Sequence, residues 1–327
     1  MPLVSVIIPI FNGNKTIRDT IESVINQTFT DWELIVINDG SQDATLDIVS
    51  SIKETRLKVF SYPNAGAPAS RNRGFSHAVG EFIAFLDADD RWTPDKLEAQ
   101  LKALQENPDA AVAYSWSDFV DESGEFLRLG SHSTVTGNVY EKLLLIDFLD
   151  NGSNPLIGRQ AFMEVGGFDE SLPAGQDWDL YLRLAARYNF VVVPLPQILY
   201  RVSANSISSN AMQLESGCLK AIERAFSEAP ESLQHLKRYS LANLYKYLTY
   251  KILAAPPERH KGLAAARFLW QAMVCDRDRL PEQRILLRIL LKIALVALLP
   301  PQQAQALINK SNTLPKIQNV LLSYMRV

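Results

Sequence analysis

The stretch that decides the fold is Phe82-Ile83-Ala84-Phe85-Leu86-Asp87-Ala88-Asp89-Asp90. Its apolar residues run without alternation and end in three carboxylates within four residues. An apolar run of this kind predicts a strand that is buried on both faces of a sheet. The acids then lie where the strand emerges, which in open α/β sheets is the edge at which ligands bind.

The acid cluster after this strand, Asp87, Asp89 and Asp90, has two interpretations. Carboxylates this close repel one another unless a cation lies between them, and a hard divalent ion that also binds phosphate is the simplest partner. Because aspartate is common in turns, the same residues could instead form a solvated acidic turn before a helix. The cluster alone leaves both interpretations open.

Strands and helices alternate on both sides of this stretch. β-branched apolar runs predict strands at 4–9, 33–38 and 57–60, and apolar residues at helical spacing predict helices between them. This alternation predicts a mainly parallel, right-handed, doubly wound sheet. The Gly-x-Gly-x-x-Gly fingerprint of dinucleotide-binding folds does not follow the first strand.

The pattern changes after residue 110. Two apolar runs around a turn at 121–124 predict a hairpin, and late strands are predicted at 190–193 and 198–201. Beyond residue 210 the sequence predicts helices, at 212–228, 232–254, 260–275, 282–299 and 303–325. We therefore expect an α/β domain over 1–210, with a small antiparallel part, and an all-α region over 211–327.

Charge is divided unevenly between these two parts. Residues 1–210 hold 16 Lys and Arg against 28 Asp and Glu, a net charge of −12, whereas residues 211–327 hold 17 against 8, a net charge of +9. The acidic part argues against a nucleic acid partner, because phosphate neutralisation needs a basic face. The basic part, rich in Leu and Ile, suggests an anionic surface as its partner.

Two features indicate the cytoplasm. The N-terminal residues Met-Pro-Leu-Val-Ser-Val-Ile-Ile-Pro lack a basic region and a cleavage site, so we expect a first strand and not a signal peptide. The two cysteines, Cys218 and Cys275, are too few for a disulfide framework and suit a reducing compartment.

Polar residues mark the ends of other predicted elements too. Asp39 ends the second strand, Arg71 lies on the helix before the acid-ended strand, and Asp177 stands at a later helix entrance. Such carboxylates can bond a nucleoside, an arginine can pair a phosphate, and a bound metal can neutralise a diphosphate. An isolated carboxylate can act as a general base. Together these parts describe activation of a nucleotide-diphosphate donor for attack by a hydroxyl.

An ordered set of motifs over about 1–206 makes the chain resemble a family 2 glycosyltransferase of the GT-A fold. The matching segments, in the order of the family, are Val6-Ile7-Ile8-Pro9 with Asn12, Asp39-Gly40-Ser41-Gln42-Asp43, Asn64-Ala65-Gly66 with Arg71-Asn72 and Gly74, Phe85-Leu86-Asp87-Ala88-Asp89-Asp90, Gly166-Gly167-Phe168-Asp169-Glu170, Asp177-Trp178-Asp179-Leu180, and Tyr200-Arg201. The resemblance implies a GT-A nucleotide-diphospho-sugar transferase fold.

The resemblance also implies a role for each matching residue. Asp177 corresponds to the catalytic base, and Asp89 to the ligand of Mg²⁺ or Mn²⁺. Asp39 corresponds to the residue that bonds the uracil of the donor, and Asp87 to the one that contacts the ribose. The full set of donor-binding candidates is Pro9, Phe11, Asn12, Asp39, Arg71 and Asp87. Further candidates are Asp90, Trp178, Arg201 and Ser203.

The sequence departs from the family pattern at three places. Gln176 stands where many relatives have Glu before the base, and Ser203 stands where many have a histidine that contacts metal or phosphate. The resemblance therefore implies no third protein ligand for the metal at position 203. The Gln-x-x-Arg-Trp signature of processive synthases is absent, which favours an enzyme that adds one sugar at a time.

The segment 284–299 is basic on one side and otherwise apolar. Arg284, Arg288 and Lys292 are four residues apart and so form one stripe on a helix. The segment is too short and too basic to span a bilayer, which favours a helix lying in the membrane interface. The alternative is a buried helix in a bundle or an interface between copies in a homo-oligomer.

We therefore expect an inverting, metal-dependent glycosyltransferase at the inner face of the plasma membrane. Its donor would be a nucleotide-diphosphate sugar, a UDP-sugar above all, and its acceptor a hydroxyl of a lipid-linked or polysaccharide glycan. Two alternatives are a sugar nucleotidyltransferase, which would want a Gly-rich basic loop after the first strand, and a non-catalytic nucleotide-sugar-binding scaffold.

Overall fold

The computed structural model describes residues 1–202 and 210–326. Its sheet has nine strands. They are β1 (Val4–Ile10), β2 (Trp32–Asn38), β3 (Leu57–Ser61), β4 (Phe82–Phe85), β5 (Arg91–Trp92), β6 (Ala110–Val120), β7 (Phe126–Leu129), β8 (Leu156–Gly158) and β9 (Asn189–Arg201). Every residue of β1 and β2 is buried, as expected of central strands covered on both faces.

The acid-ended strand β4 lies at the centre of the sheet. The strand order is β3-β2-β1-β4-β8-β6-β9-β5, with β7 paired to β6. The strands β1 to β4 are parallel, whereas β8 runs antiparallel to both of its neighbours, β4 and β6. The predicted mainly parallel sheet with a small antiparallel part and the predicted hairpin of β6 and β7 are therefore both present.

The two late strands predicted at 190–193 and 198–201 are one strand, β9. Its pairing with β6 shifts register around Trp116, opposite the segment that holds Pro194 and Pro196. A proline lacks the N–H that a ladder needs, so the ladder shifts there but the strand continues. The prolines therefore caused the error in the sequence prediction.

Thirteen α-helices occur in the described residues. They are α1 (Ile17–Ile25), α2 (Thr45–Ser51), α3 (Ala67–His77), α4 (Lys96–Glu106), α5 (Tyr140–Leu145), α6 (Arg159–Glu164), α7 (Gln176–Ala185), α8 (Ala211–Glu228), α9 (Lys237–Ala254), α10 (Arg259–Cys275), α11 (Gln283–Leu298), α12 (Pro301–Lys310) and α13 (Val320–Ser323). The helix predicted at 303–325 is thus two helices, and Pro315 lies in the segment between them.

The chain groups into two compact units. The described part of the first comprises 1–143, 147–172 and 176–202 and contains the sheet, and that of the second comprises 144–146, 173–175 and 210–326. The predicted boundary at 210/211 adjoins residues outside the described ranges and stays a prediction. Over 1–202 and 210–326, no helix combines the length and the apolar character that crossing a bilayer requires.

Candidate active site

The site is built on the turn that follows β4. This strand pairs with β1 and β8, and Leu86 continues the ladder by donating from its backbone N–H to the carbonyl of Ile7. The turn then closes as the backbone N–H of Asp90 donates to the carbonyl of Asp87 at 3.0 Å. Asp87 and Asp89 remain half-buried at the sheet edge, whereas Asp90 is fully buried.

Arg71 joins Asp87 to Asp177, although the two acids are ninety residues apart. Its Nη2 donates to Asp87 Oδ1 at 2.5 Å, and its Nη1 lies 3.2 Å from Asp177 Oδ1. The second contact is an ion pair without a hydrogen bond, so Arg71 Nη1 and Asp177 Oδ1 lack hydrogen-bond partners within the described residues. The structure thereby brings together three residues that the sequence placed on separate elements.

The placement of Arg71 follows from the packing of α3. At Gly74, one turn further along, an added Cβ would lie 2.3 Å from Ile7 Cγ2, so the glycine allows α3 to lie close against β1. This close approach carries Arg71 into the interior, where its side chain is almost wholly buried. A buried guanidinium needs paired anions, and Asp87 and Asp177 supply them.

Burial and neighbouring charges both shift the pKa values of Arg71 and Asp177. Burial alone would lower the pKa of Arg71, but the charges of Asp177 and Asp87 outweigh it and raise that pKa above its ordinary value. Burial also raises the pKa of Asp177; Arg71 opposes the rise and Asp87 adds to it. A carboxylate with a raised pKa is a stronger proton acceptor, which suits a general base.

Asp177 lies in the first turn of α7, directly after Gln176. Gly175 precedes this helix with φ +71°, a conformation that favours glycine. The next residue, Trp178, is buried and donates its Nε1–H to the carbonyl of Leu143 at 2.9 Å. This contact gives Trp178 a packing role and turns its ring into the interior of the sheet-containing unit.

Asp39 lies at the end of β2 in a second polar pocket. Its carboxylate accepts hydrogen bonds from the backbone N–H groups of Ala65 and Gly66, at 3.0 and 2.8 Å. Arg73 Nη1 lies 3.3 Å from the same carboxylate. Since each carboxylate oxygen can accept more than one bond, Asp39 keeps acceptor capacity for a base edge. The helix α3 thus directs Arg71 and Arg73 to different acids.

The first-strand candidates lie beside Asp39. Pro9 is buried within β1, whereas Phe11 is half exposed and Asn12 is exposed just beyond it. Asn12 has φ +51°, and its Oδ1 accepts from the backbone N–H of Gln42 at 2.8 Å. This hydrogen bond ties the loop that carries the exposed Phe11 ring to the 39–42 loop.

Asp90 and Arg201 are buried, and their contacts are with other residues of the protein. Asp90 accepts a hydrogen bond from the Ser153 hydroxyl at 2.5 Å and one from the backbone N–H of Arg201 at 3.0 Å. Arg201 is buried, and its Nη2 lies 3.6 Å from Asp19 Oδ2. These contacts make Asp90 a clamp for the turn. Ser203 lies outside the described residues.

Sequence reasoning missed the loop 151–154. Ser153 Oγ accepts from the backbone N–H of Asp87 at 3.0 Å while it donates to Asp90, so one hydroxyl holds both ends of the acidic turn. Tyr181, one turn after Asp177, donates its hydroxyl to the carbonyl of Asn151 at 2.8 Å. In the sequence this loop resembles an ordinary Asn-Gly-Ser turn, and no local signal shows that it contacts Asp87 and Asp90.

The acidic turn fits a divalent cation with few protein ligands. Within 1–202 and 210–326, no three carboxylate, histidine or cysteine side chains converge on one point. Burial and the neighbouring charge of Asp87 raise the pKa of Asp89 to about 6, so two like charges are held together where a cation would relieve their repulsion. Mg²⁺ commonly takes one or two carboxylates and fills its remaining positions with phosphate oxygens and water. Asp89, with Asp87 beside it, suits such a site.

Gly152 leaves the space that the Asp177 carboxylate occupies. An added Cβ would lie 2.8 Å from Asp177 Oδ1 and 3.1 Å from Arg71 Nη2. Because the carboxylate must then move, we expect Gly152→Ala to lower kcat about a hundredfold, the loss that a displacement of about 1 Å can cause. Steady-state kinetics at saturating donor would measure it.

Gly158→Ala is the matched control for this substitution. Gly158 lies six residues further on and has φ −57°, and its nearest contact for an added Cβ is the carbonyl oxygen of Ala111 at an ordinary 3.5 Å. Its turnover should stay near wild type. Equal turnover in the two variants would show that Gly152 does not set the position of Asp177.

Solved structures share this architecture. A mannosyltransferase from Pyrobaculum calidifontis, PcManGT, in complex with GDP-Man and Mn²⁺ superposes with a TM-score of 0.60 at 18% identity, over 99% of this chain and 86% of the other. The 1–349 fragment of TarS from S. aureus in complex with UDP-GlcNAc gives a TM-score of 0.54 at 20% identity, over 98% and 88%. The expected fold is confirmed: the chain has the mainly parallel α/β architecture of the GT-A class with a helical C-terminal region.

The sequence itself identifies the family. The model described as "Glycosyltransferase like family 2" matches residues 5–252, and the chain belongs to this family. An uncharacterized glycosyltransferase of Rickettsia bellii is 34% identical over 185 residues, which are 56% of this chain but 26% of the relative. The chain thus spans about a quarter of that relative's length. The glucosyltransferase WfgD of Escherichia coli is 29% identical over 254 residues, 77% of this chain and 93% of the relative.

Proposed function

We propose that the chain transfers one sugar from a UDP-sugar to a hydroxyl of a lipid-linked or polysaccharide glycan, with inversion at the anomeric carbon. The observation that carries the proposal is the contact of Arg71 with both Asp87 and Asp177, because it joins the donor edge of the sheet to a basic carboxylate. WfgD is named as a UDP-Glc-dependent enzyme acting on a diphosphoundecaprenol-linked sugar, which supports this choice of donor and acceptor class.

In the proposed complex the nucleoside lies on the surface made by Phe11, Asn12 and Asp39, with Asp39 accepting from the base and Asp87 from the ribose. The diphosphate then reaches the acidic turn. There Asp89, with Asp87 beside it, would hold Mg²⁺ or Mn²⁺, which when bound offsets the negative charge of the diphosphate. PcManGT was solved with Mn²⁺, which supports a divalent ion in this fold.

Asp177 then removes the proton from the acceptor hydroxyl. The acceptor oxygen forms a bond to the anomeric carbon as the bond to the diphosphate oxygen breaks, and the nucleoside diphosphate leaves with the electron pair. Arg71 holds Asp177 at a fixed distance from Asp87, so that base and donor are oriented before the reaction. A single displacement of this kind inverts the anomeric configuration.

Replacement of Asp89 tests the metal and the donor together. Asp89→Asn keeps the size of the side chain but removes its charge, and we expect transfer in saturating Mn²⁺ to fall about a hundredfold or more, the several kcal/mol that a metal supplies to charge stabilisation. The wild-type protein should show a rise in Tm with UDP-sugar plus Mn²⁺, since a bound ligand stabilises the native state. The rise should be lost in Asp89→Asn.

The same samples decide between enzyme and scaffold. Incubation of wild-type protein with UDP-sugars, Mn²⁺ and a lipid-linked acceptor, followed by NMR of the product, gives both transfer and the anomer formed. Binding of UDP-sugar without transfer or donor hydrolysis would support a scaffold. A product that retains the donor's anomeric configuration would contradict the single displacement.

A further inference from the structure

The helical unit exposes a continuous set of large apolar side chains on α10 and α11. On α10 they are Leu263, Trp270 and Val274, spaced by seven and four residues, which is one helix face. On α11 they are Leu287, Leu290, Leu291 and Leu298. Trp270 is 63% exposed, Leu287 65% and Leu298 78%. We call these seven residues the α10–α11 face.

The two helices are held side by side through their opposite faces. At Gly262 an added Cβ would lie 2.5 Å from the backbone N of Ala297, so the glycine allows α10 and α11 to touch at their backbones. Buried Ala265, Leu269 and Ile293 belong to these opposite faces. The α10–α11 face therefore takes no part in the core of the helical unit. A group of large exposed apolar side chains on adjoining helices is the kind of surface that marks an interaction site.

The charged side chains within α10 and α11 are of one sign. Neither α10 nor α11 contains an Asp or Glu, whereas Arg259, Arg284 and Arg288 are exposed. Lys292, which the sequence placed in the same basic stripe, is 4% exposed and donates to the carbonyl of Pro315 and to Gln318 Oε1 at 3.0 and 2.7 Å. That part of the stripe prediction was wrong, because these acceptors draw the ammonium group inwards.

We propose that the α10–α11 face lies flat in the interfacial layer of an anionic lipid bilayer. Apolar side chains would enter the acyl boundary, Trp270 would sit at the headgroup level, and the three arginines would pair with lipid phosphates. A second copy of the chain suits the face less well. A two-fold interface would bring identical arginines together, and like charges oppose such an association.

Vesicle flotation of the full chain tests this surface. Wild-type protein should float with phosphatidylglycerol-containing vesicles and stay behind with pure phosphatidylcholine, and added salt should weaken the binding. Arg284→Gln with Arg288→Gln should lower the partition coefficient about twenty-fivefold, from about fivefold per arginine at an anionic surface. Trp270→Ala with Leu291→Gln should lower it about tenfold or more, because both groups lose apolar burial.

Met163→Gln on α6 is the matched control, since Met163 is 53% exposed but lies outside the face. It should float like wild type. Unchanged flotation of the two double variants, or failure of the wild-type chain to float with anionic vesicles, would overturn the proposal. So would a wild-type dimer in light scattering that becomes a monomer in Trp270→Ala/Leu291→Gln.

Discussion

Asp177→Asn is expected to lower the rate of sugar transfer about a thousandfold or more, within the range that a general base contributes. The amide has the shape of the carboxylate, so Arg71 can keep its neighbour while the group loses the ability to take a proton. Because the donor is held at Asp39, Asp87 and Asp89 in the proposed complex, its affinity should remain near wild type. Single-turnover transfer together with calorimetric titration of UDP-sugar separates the two effects.

The pH profile adds a second measurement for the same residue. Burial raises the pKa of Asp177, so its basic form is lost as the pH falls through a value above that of an ordinary aspartate. Transfer should therefore decline on the acid side earlier than an unperturbed aspartate would cause. Asp177→Glu, which keeps a carboxylate, should recover part of the activity. Turnover of Asp177→Asn equal to wild type would exclude Asp177 as the base.

The fold was largely predictable because its signals are local. The run Phe82–Leu86 and the alternation around it indicated parallel strands. The family motifs predicted that ligands bind at the edge of the sheet where this strand emerges. Two features were not predictable in this way. Strand β8 runs antiparallel between β4 and β6, and the prolines in β9 interrupt its ladder without ending the strand. Both features depend on which strands pair with β8 and β9, and a single sequence does not show strand pairing.

The sequence predicted a set of candidate site residues but not their geometry. In the structure Arg71 pairs with Asp87 and Asp177, whereas Arg73, two residues later on the same helix, pairs with Asp39. Gly152 and Ser153 were missed because they contact residues that are distant in the sequence: Gly152 lies against Asp177, 25 residues away, and Ser153 bonds Asp87 and Asp90, more than sixty residues away. Lys292 was predicted to belong to a basic stripe but is buried. Its helical spacing was read correctly, but spacing alone does not tell which side of a helix a bundle buries.

Arg71→Met has the second large expected effect, on stability as well as activity. Methionine fills much of the volume but leaves Asp87 and Asp177 without their cation. Breaking one partner of a buried ion pair typically costs about 3–5 kcal/mol, so we expect the free energy of unfolding to fall by about that amount. Transfer should also be lost, because Asp177 no longer has a fixed position relative to Asp87. Chemical denaturation and transfer assays measure the two effects.

The stability loss should depend on pH in a defined direction. Burial raises the pKa of Asp177, and Arg71 opposes that rise. Without Arg71 the folded-state pKa of Asp177 rises further above the unfolded value, so the variant is penalised at high pH. As the pH falls through the raised pKa, Asp177 takes up a proton and the penalty is relieved. The difference in unfolding free energy between wild type and Arg71→Met should therefore narrow between neutral pH and about pH 4, near the ordinary aspartate pKa.

Arg73→Met provides the matched control on the same helix. Arg73 also pairs with an aspartate, Asp39, but its side chain is 29% exposed against 3% for Arg71. The Arg73 end of this pair is partly in solvent, and Asp39 keeps the hydrogen bonds from the backbone N–H groups of Ala65 and Gly66 when Arg73 is replaced. This variant should therefore lose less stability than Arg71→Met and change less with pH. If Arg71→Met were no less stable than Arg73→Met at neutral pH, Asp87 and Asp177 could not depend on Arg71 for their charge. The Asp87–Arg71–Asp177 unit would then have to be neutralised in another way, with one of the acids protonated, and a protonated Asp177 could not serve as the base.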